Sequence, residues 1–301
     1  MNIYMPRCRL PADGLLIQNA SPDNGSTSWG FNDARPHLFF GGKRTLNGLQ
    51  GWRNWVDRWD WDFKLDGRFE EIELRPGPFH NEDSKSKLHD SILIMKDLVS
   101  PAECAQLVAA AEKKCRQEDQ QGDDRFDKKA PRQEGLRRSE IHPDGVNHDG
   151  ETHALAYSIL TRALWSLEQQ EPELCAELFG AEPVDLCDLS FRFKANEPML
   201  NRYTAGGKFP PHQDGSALTV LVPLSTCDVD FQGGGTAFWS EAEVGKDPTA
   251  AEGVPPSLVM KPPPGTGLFW RGHLMHAGLP VTAGCRHVFV ASFDLHAAGQ
   301  S

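Results

Sequence analysis

Two imidazoles and one carboxylate stand in an order that can hold a metal ion. They are His212 and Asp214, one residue apart, and His276, with Arg286 ten positions beyond it. This donor set is the one by which proteins hold non-haem Fe(II) while leaving coordination positions open for other molecules. If the near pair lies on a strand, residues i and i+2 project from one face, about 7 Å apart. Arg286 adds a permanent charge and a planar fork of N–H donors suited to a carboxylate. A metal beside a carboxylate clamp points to an enzyme. The pair alone is a weak signal, because a His-x-Asp arises by chance in many chains and most often marks a solvated turn.

The elements that must position these residues change character along the chain. From Leu186 onward short apolar or β-branched runs are broken by Gly and Pro: Ser190–Phe193, Leu200–Thr204, Leu218–Leu224, Gly267–Trp270 and His287–Phe293. Repeated runs of this kind predict an antiparallel β core over 186–295. Upstream, Ser91–Met95 reads as a strand. Ser100-Pro101-Ala102-Glu103 reads as a capping box with Pro at the first helical position. Helices are predicted over 100–117 and 152–179, the second in two parts. One has Leu155, Ile159, Ala163 and Leu167 on one face; the other is opened by Pro172 and ended by Gly180. The polar run 118–150 predicts a mobile loop first and a substrate lid second. Gly233-Gly234-Gly235 lacks P-loop spacing and reads as a tight turn.

The fold class is therefore α+β, with supporting helices ahead of the β core. Residues 1–85 form an N-terminal extension flanking the core or packed on it, and 86–301 the domain that carries the chemistry. Within the extension, Leu49, Trp52, Val56 and Trp59 recur at helical spacing over Thr45–Phe63, with Trp55 and Trp61 among them. A helix packing its tryptophans on the domain is favoured over a ligand-stacking surface. Residues 64–90 read as a connector that turns at Arg75–Pro78.

Composition narrows the partners. The net charge of −11 argues against nucleic acid and anionic membranes. Hydrophobic residues at 39% suffice for a packed core. The seven cysteines show no C-x-x-C spacing, so neither a zinc motif nor a redox motif is expected, and free thiols in a reducing compartment are. No signal peptide and no run of about 18 apolar residues is readable, which makes the cytoplasm the expected location and a membrane partner unexpected.

The motifs around the triad raise its specificity. Tyr203 precedes Gly206-Gly207; His212-Gln213-Asp214 and a Thr219-bearing strand follow. Then come Gly234-Gly235-Thr236-Ala237-Phe238, Phe269-Trp270, His276-Ala277-Gly278-Leu279-Pro280-Val281 and Gly284-Cys285-Arg286. In this order the chain resembles the Fe(II)- and 2-oxoglutarate-dependent dioxygenases, within them the prolyl 4-hydroxylase-like group. The likeness covers 186–295, and Ser91–Lys114 also resembles the family's opening strand and helix.

The resemblance implies a double-stranded β-helix, a jelly-roll or cupin-like core. It implies His212, Asp214 and His276 as the iron ligands and Arg286 as partner of the distal carboxylate of 2-oxoglutarate. Tyr203 would reach that carboxylate through its hydroxyl, and Thr219 would line the same pocket. Fe(II), 2-oxoglutarate, O2 and L-ascorbate as reductant are the cofactors and co-substrates implied. The activity implied is hydroxylation of an unactivated C–H bond, with succinate and CO2 as co-products. The substrate would be a prolyl or other residue of a peptide, or else a free amino acid or small metabolite. Asp214 favours hydroxylation, since related halogenases carry a small residue there.

Of the other histidines, His273 competes with His276. On a strand the two would face opposite sides, and the ten-residue spacing to Arg286 and the following Ala-Gly favour His276. His287 is expected to point away from the site, structural or exposed. Arg137-Arg138-Ser139 resembles a family strand, with a solvated basic turn as the rival. A non-oxygenase metal-binding barrel, a cupin-like isomerase or a sensor, is the competing class; the clamp of Arg286 and Tyr203 argues against it.

Overall fold

The computed structural model describes residues 27–28, 39–40, 68–74, 88–120, 134–141, 148–179 and 189–297. The expected Trp-bearing helix at 45–63, the turn at Arg75–Pro78 and the end signal at Gly180 lie outside these residues. A short pair of strands, β1 (Thr27–Ser28) and β2 (Phe39–Phe40), stands ahead of the rest.

The frame of the site is an eight-stranded sheet. In chain order its strands are β3 (Phe69–Glu73), β4 (Ser91–Met95), β5 (Leu136–Glu140), β6 (Leu189–Phe193), β7 (Met199–Tyr203), β9 (Leu218–Pro223), β13 (Gly267–Trp270) and β16 (Arg286–Ala297). Across the sheet the order is β3-β4-β13-β9-β16-β7-β5, with β6 paired to β16. A four-stranded sheet holds β8 (Phe209–His212), β11 (Thr236–Trp239), β12 (Leu258–Met260) and β14 (Met275–Gly278), in the order β12-β11-β14-β8. A two-stranded ribbon pairs β10 (Phe231–Gly233) with β15 (Val281–Gly284). Pairings within all these sheets are antiparallel.

Alternation along the strands explains why both faces of the large sheet are apolar. On β9, Leu218, Val220 and Val222 join a core shared with the helices, while Leu221 joins a second core with Phe238 and Trp270. A sheet covered on both faces reads as a continuous apolar run, as β9 does. The helix-side layer is α1 (Pro101–Gln120), α2 (Gly150–Gln170) and α3 (Pro172–Phe179). Two short helices, α4 (Glu241–Val244) and α5 (Pro248–Glu252), follow β11.

The capping box forms as its sequence dictates. Ser100 and Glu103 exchange backbone-to-side-chain bonds of 2.8 and 3.3 Å, which satisfies N–H groups that the first helical turn would leave unpaired. Buried Cys104, Leu107, Ala111 and Cys115 mark the packed stripe of α1, which runs three residues beyond the expected end. On α2, Asp149 caps the first turn through Thr152 at 3.0 Å. None of the helices among the described residues is long and apolar enough to cross a membrane.

The expected loop over 118–150 is corrected in part: β5 lies within it and pairs with β7 at the sheet edge. Of the two readings of Arg137-Arg138-Ser139, strand or solvated turn, the strand is the one observed. Arg137 turns to the helix side, bonded to Cys115 Sγ at 3.1 Å and to Asp119 at 2.5 Å, while Arg138 turns to the opposite face. The buried residues of this strand are Leu136 and Ser139, with the two arginines half-buried between them.

Candidate active site

His212 and His276 are brought together by strand pairing. They are partners in register between β8 and β14, and their ring centroids stand 4.2 Å apart. β8 is the edge strand of its sheet, which is why it tolerates Pro210 and Pro211, residues with no N–H for a ladder. Asp214 is not on the strand with His212, as the i and i+2 argument expected. It lies just past β8, where its backbone N–H donates to the Gly272 carbonyl at 2.7 Å. Its carboxylate reaches both rings: Oδ1 is 3.4 Å from His212 Nε2 and Oδ2 is 3.3 Å from His276 Nε2. One ligand atom from each of the three side chains falls within a 4.8 Å cluster.

The far side of each ring is fixed. His212 Nδ1 is 2.9 Å from the Pro210 carbonyl, and His276 Nδ1 is 2.9 Å from the Leu274 carbonyl. A carbonyl can only accept, so Nδ1 carries the proton and Nε2 keeps its lone pair, as metal-ligating imidazoles do. Burial takes His276 down to about 4, leaving the ring neutral near pH 7. Burial works against ionisation of Asp214, but the Lys194 ammonium, donating to Oδ1 at 3.0 Å, favours the charged carboxylate, and Thr219 Oγ1 donates to Oδ2 at 2.7 Å. One ionised carboxylate with two bare imidazole nitrogens fits a divalent metal.

Thr219 stands beside the triad, bonded to its carboxylate. Its buried Oγ1 donates to Asp214 Oδ2 at 2.7 Å, and Lys194 Nζ donates to Oδ1 at 3.0 Å. Thr219 shares a face of β9 with Leu221, which lines the cavity of the site. The hydroxyl is spent on the carboxylate.

The triad opens on a cavity of about 450 Å³, open solvent at its mouth included, that is also lined by Tyr203, Arg286, Trp270, Phe209 and Arg138. Parity on β16 puts Arg286, Val288 and Val290 on the cavity side and His287, Phe289 and Ala291 on the helix side. Arg286 is buried. Two of its N–H groups go to the Gly235 carbonyl at 3.1 Å and to Thr236 Oγ1 at 2.9 Å, and it stands 5.3 Å from the Tyr203 ring centroid. Burial pushes its pKa down, and among the described residues no carboxylate acts on it. The Gly-rich run 233–235 is the predicted tight turn, with all three residues at positive φ, and it delivers the Gly235 carbonyl to Arg286. Tyr203 pairs with Arg286 in register, and burial raises its phenol.

His287, by the same parity, is buried on the helix side against Glu112 at 2.8 Å, structural rather than exposed. Glu112 and Cys285 form a second ligand-like group with it, but the same Glu112 oxygen takes Arg202 at 2.6 Å. His273 is outside the cavity for a reason other than strand parity: it sits in the turn before β14, beside His89. The cysteines at 104, 115, 175, 227 and 285 are free thiols, as expected.

Two groups near the triad, Lys194 and Glu197, carried no sequence signal, while Trp270 stood in the Phe269-Trp270 motif. Lys194 and Glu197 sit in a polar turn between β6 and β7 that resembles any solvated connection. Burial, then the Asp214 charge, raises Glu197 to about 7, and its Oε2 accepts the Ser292 backbone N–H. Trp270 Nε1 is buried at the cavity with no hydrogen-bond partner, a donor left for whatever binds there.

Residues 198–293 match the family model of the 2OG-Fe(II) oxygenase superfamily. The matched stretch, about a third of the chain, holds the triad, Tyr203 and Arg286, so that this part of the chain is similar to the oxygenases of that superfamily. Among solved structures, the chain is similar to a collagen prolyl hydroxylase from Paramecium bursaria Chlorella virus-1. That likeness has 17% identity and a TM-score of 0.44, over 71% of this chain and 95% of that one. It is also similar to a Pseudomonas putida prolyl-4-hydroxylase, at 15% identity and a TM-score of 0.42, over 67% and 91% of the two chains. A third is HygX from Streptomyces hygroscopicus with nickel and 2-oxoglutarate bound, at 13% identity and a TM-score of 0.43, over 67% and 82%. A search of curated proteins finds no match.

Proposed function

We propose that this chain is a Fe(II)- and 2-oxoglutarate-dependent dioxygenase that hydroxylates an unactivated C–H bond, that of a prolyl or other amino-acid residue in a peptide, releasing succinate and CO2. The observation that carries the reading is Arg286: a buried guanidinium with no acidic partner among the described residues, lining the same cavity as a two-histidine, one-carboxylate cluster. A buried unpaired charge is costly, and an anionic ligand relieves that cost.

In this reading His212, Asp214 and His276 hold Fe(II), with 2-oxoglutarate between that metal and Arg286. When bound, the iron and the keto acid together supply O2 activation and C–H oxidation, with ascorbate as a reductant for the metal. The chain's own residues do the positioning. The Pro210 and Leu274 carbonyls hold the two rings with Nε2 inward, and Thr219 and Lys194 hold the carboxylate between them. Arg286 binds the distal carboxylate through charge-assisted bonds, about twice as strong as neutral ones, and Tyr203 orients it. Phe209, Leu221, Trp270 and Val290 line the cavity with apolar surface, which keeps water away from the reacting centre. Arg138, stacked at 4.8 Å on the Phe209 ring, forms the wall where the substrate chain would pass.

The test is succinate release from 2-oxoglutarate with added Fe(II), run against a panel of proline-bearing peptides and free amino acids. Release that depends on iron and is lost in His212→Ala and Asp214→Ala is expected, stimulated by peptides above amino acids. Absence of iron-dependent release with every member of the panel contradicts the reading.

A further inference from the structure

A second set of metal-ligand side chains lies outside the cavity. His89 just precedes β4, Glu241 opens α4, and His273 sits in the turn before β14. A ring nitrogen of each histidine and a carboxylate oxygen of Glu241 lie within 4.8 Å of one another. His89 Nδ1 is 3.8 Å from Glu241 Oε2, and the two rings meet edge to face at 5.1 Å.

His273 Nε2 is 2.9 Å from the His89 carbonyl. That nitrogen must carry the proton, which leaves the lone pair on Nδ1. This is the device that fixes His212 and His276, with the two nitrogens exchanged. Burial also holds His273 below the ordinary imidazole range, so the ring is neutral near pH 7. The Asp90 carboxylate ties the segments together: it accepts the Glu241 backbone N–H at 3.1 Å and the Ser240 hydroxyl.

We propose that His89, Glu241 and His273 form a second divalent-metal site, of zinc class, on the outer surface and separate from the His212 triad. Two imidazoles and one carboxylate suit Zn2+ and its borderline neighbours, while Mg2+ and Ca2+ prefer all-oxygen shells. Half-exposed His89 leaves the remaining coordination position to water. A bound ion joins the segment before β4 to the 271–274 turn. The Gly272 carbonyl of that turn receives the N–H groups of Asp214 and Gly215, so the ion braces the backbone that carries Asp214. The proposal stands whether or not the cavity is an oxygenase site, because the two ligand sets share no residue.

The experiment uses Zn2+ as the probe on the full chain. A His212→Ala/His276→Ala variant isolates the outer site, and titration calorimetry with thermal melting reads it. The expected result is one Zn2+ bound per chain and a melting temperature raised by Zn2+. His89→Ala or Glu241→Gln in that background weakens binding by at least about tenfold, since even outer partners of metal ligands are worth ~10–100-fold. If the double variant melts as an unfolded chain, the unaltered cavity serves instead, where His89→Ala lowers the bound Zn2+ by one ion per chain. No Zn2+ bound by a folded double variant, or binding indifferent to both His89→Ala and Glu241→Gln, overturns the proposal. A failure of the cavity to bind metal would show in His212→Ala and leave these results unchanged.

Discussion

Thr219→Val separates two roles for one buried hydroxyl. Thr219 Oγ1 donates to Asp214 Oδ2 at 2.7 Å, and the residue is wholly buried. Valine replaces the hydroxyl with a methyl of nearly the same shape, so no cavity opens and the change is one hydrogen bond to a charged acceptor. Such a bond contributes about 1.5–3 kcal/mol. Oδ2 is the oxygen that faces His276 Nε2, so without the hydroxyl the carboxylate is held from the Lys194 side alone. If the whole term appears in metal binding, the Kd for Fe(II) rises roughly 10- to 150-fold at about 1.4 kcal/mol per decade. The 2-oxoglutarate requirement at saturating iron stays where it was. Anaerobic Fe(II) titration gives the first quantity, and succinate release against 2-oxoglutarate concentration gives the second. Unchanged iron affinity with a raised 2-oxoglutarate requirement would refute the reasoning, and would place the Thr219 hydroxyl at the co-substrate, in the pocket that the family resemblance implies.

His148 makes stability depend on pH. Burial lowers it from 6.5 to about 4 while its Nε2 keeps a 2.7 Å bond with Ser139 Oγ. Between those two values the unfolded chain binds more protons than the folded one. The contribution is therefore complete above pH 6.5 and is lost as pH falls toward 4, by about 2 kcal/mol at pH 5. Urea unfolding at pH 7 and pH 5 should show that slope and a flatter one for His148→Gln; equal slopes contradict it. Gly207→Ala places a Cβ 2.1 Å from the Gly135 carbonyl oxygen, so two stretches of backbone must part. A loss of about 1–3 kcal/mol is expected, and an unchanged unfolding midpoint rules out the close approach. Phe269→Ala, in the fully buried centre of the large sheet, should cost roughly 3–5 kcal/mol by the same measurement.

What the chain announced in advance was whatever depends on order and periodicity. Short apolar runs located most strands of the β core because alternate residues of β9 and β16 face two apolar layers. The spacing of His212, Asp214, His276 and Arg286 was visible as a motif, and parity alone put Arg286 and His287 on opposite faces. What it did not announce depends on backbone that sequence distance hides. Asp214 is held by the Gly272 carbonyl, a contact across the loop before β14. Glu197 reaches the cavity and Lys194 reaches Asp214 from a turn whose polarity reads as solvated. β5 was legible only through the family-like run Arg137-Arg138-Ser139, because beside buried Leu136 its next residue on that face is Arg138, stacked on Phe209. Thr219 was found on the right strand, but its bond to Asp214 was not announced, since position on a strand fixes the face and not the atom it meets.

Affinity for 2-oxoglutarate, measured by anaerobic titration with and without a divalent metal in the unaltered chain and in Arg286→Ala, tests the central claim most directly. The claim is that the triad's metal and Arg286 grip one molecule from its two ends. Removing the metal should weaken binding, and Arg286→Ala should weaken it by about 2–5 kcal/mol, roughly 30- to 5,000-fold, while metal affinity holds. Binding of 2-oxoglutarate that ignores both the metal and Arg286 would contradict the account.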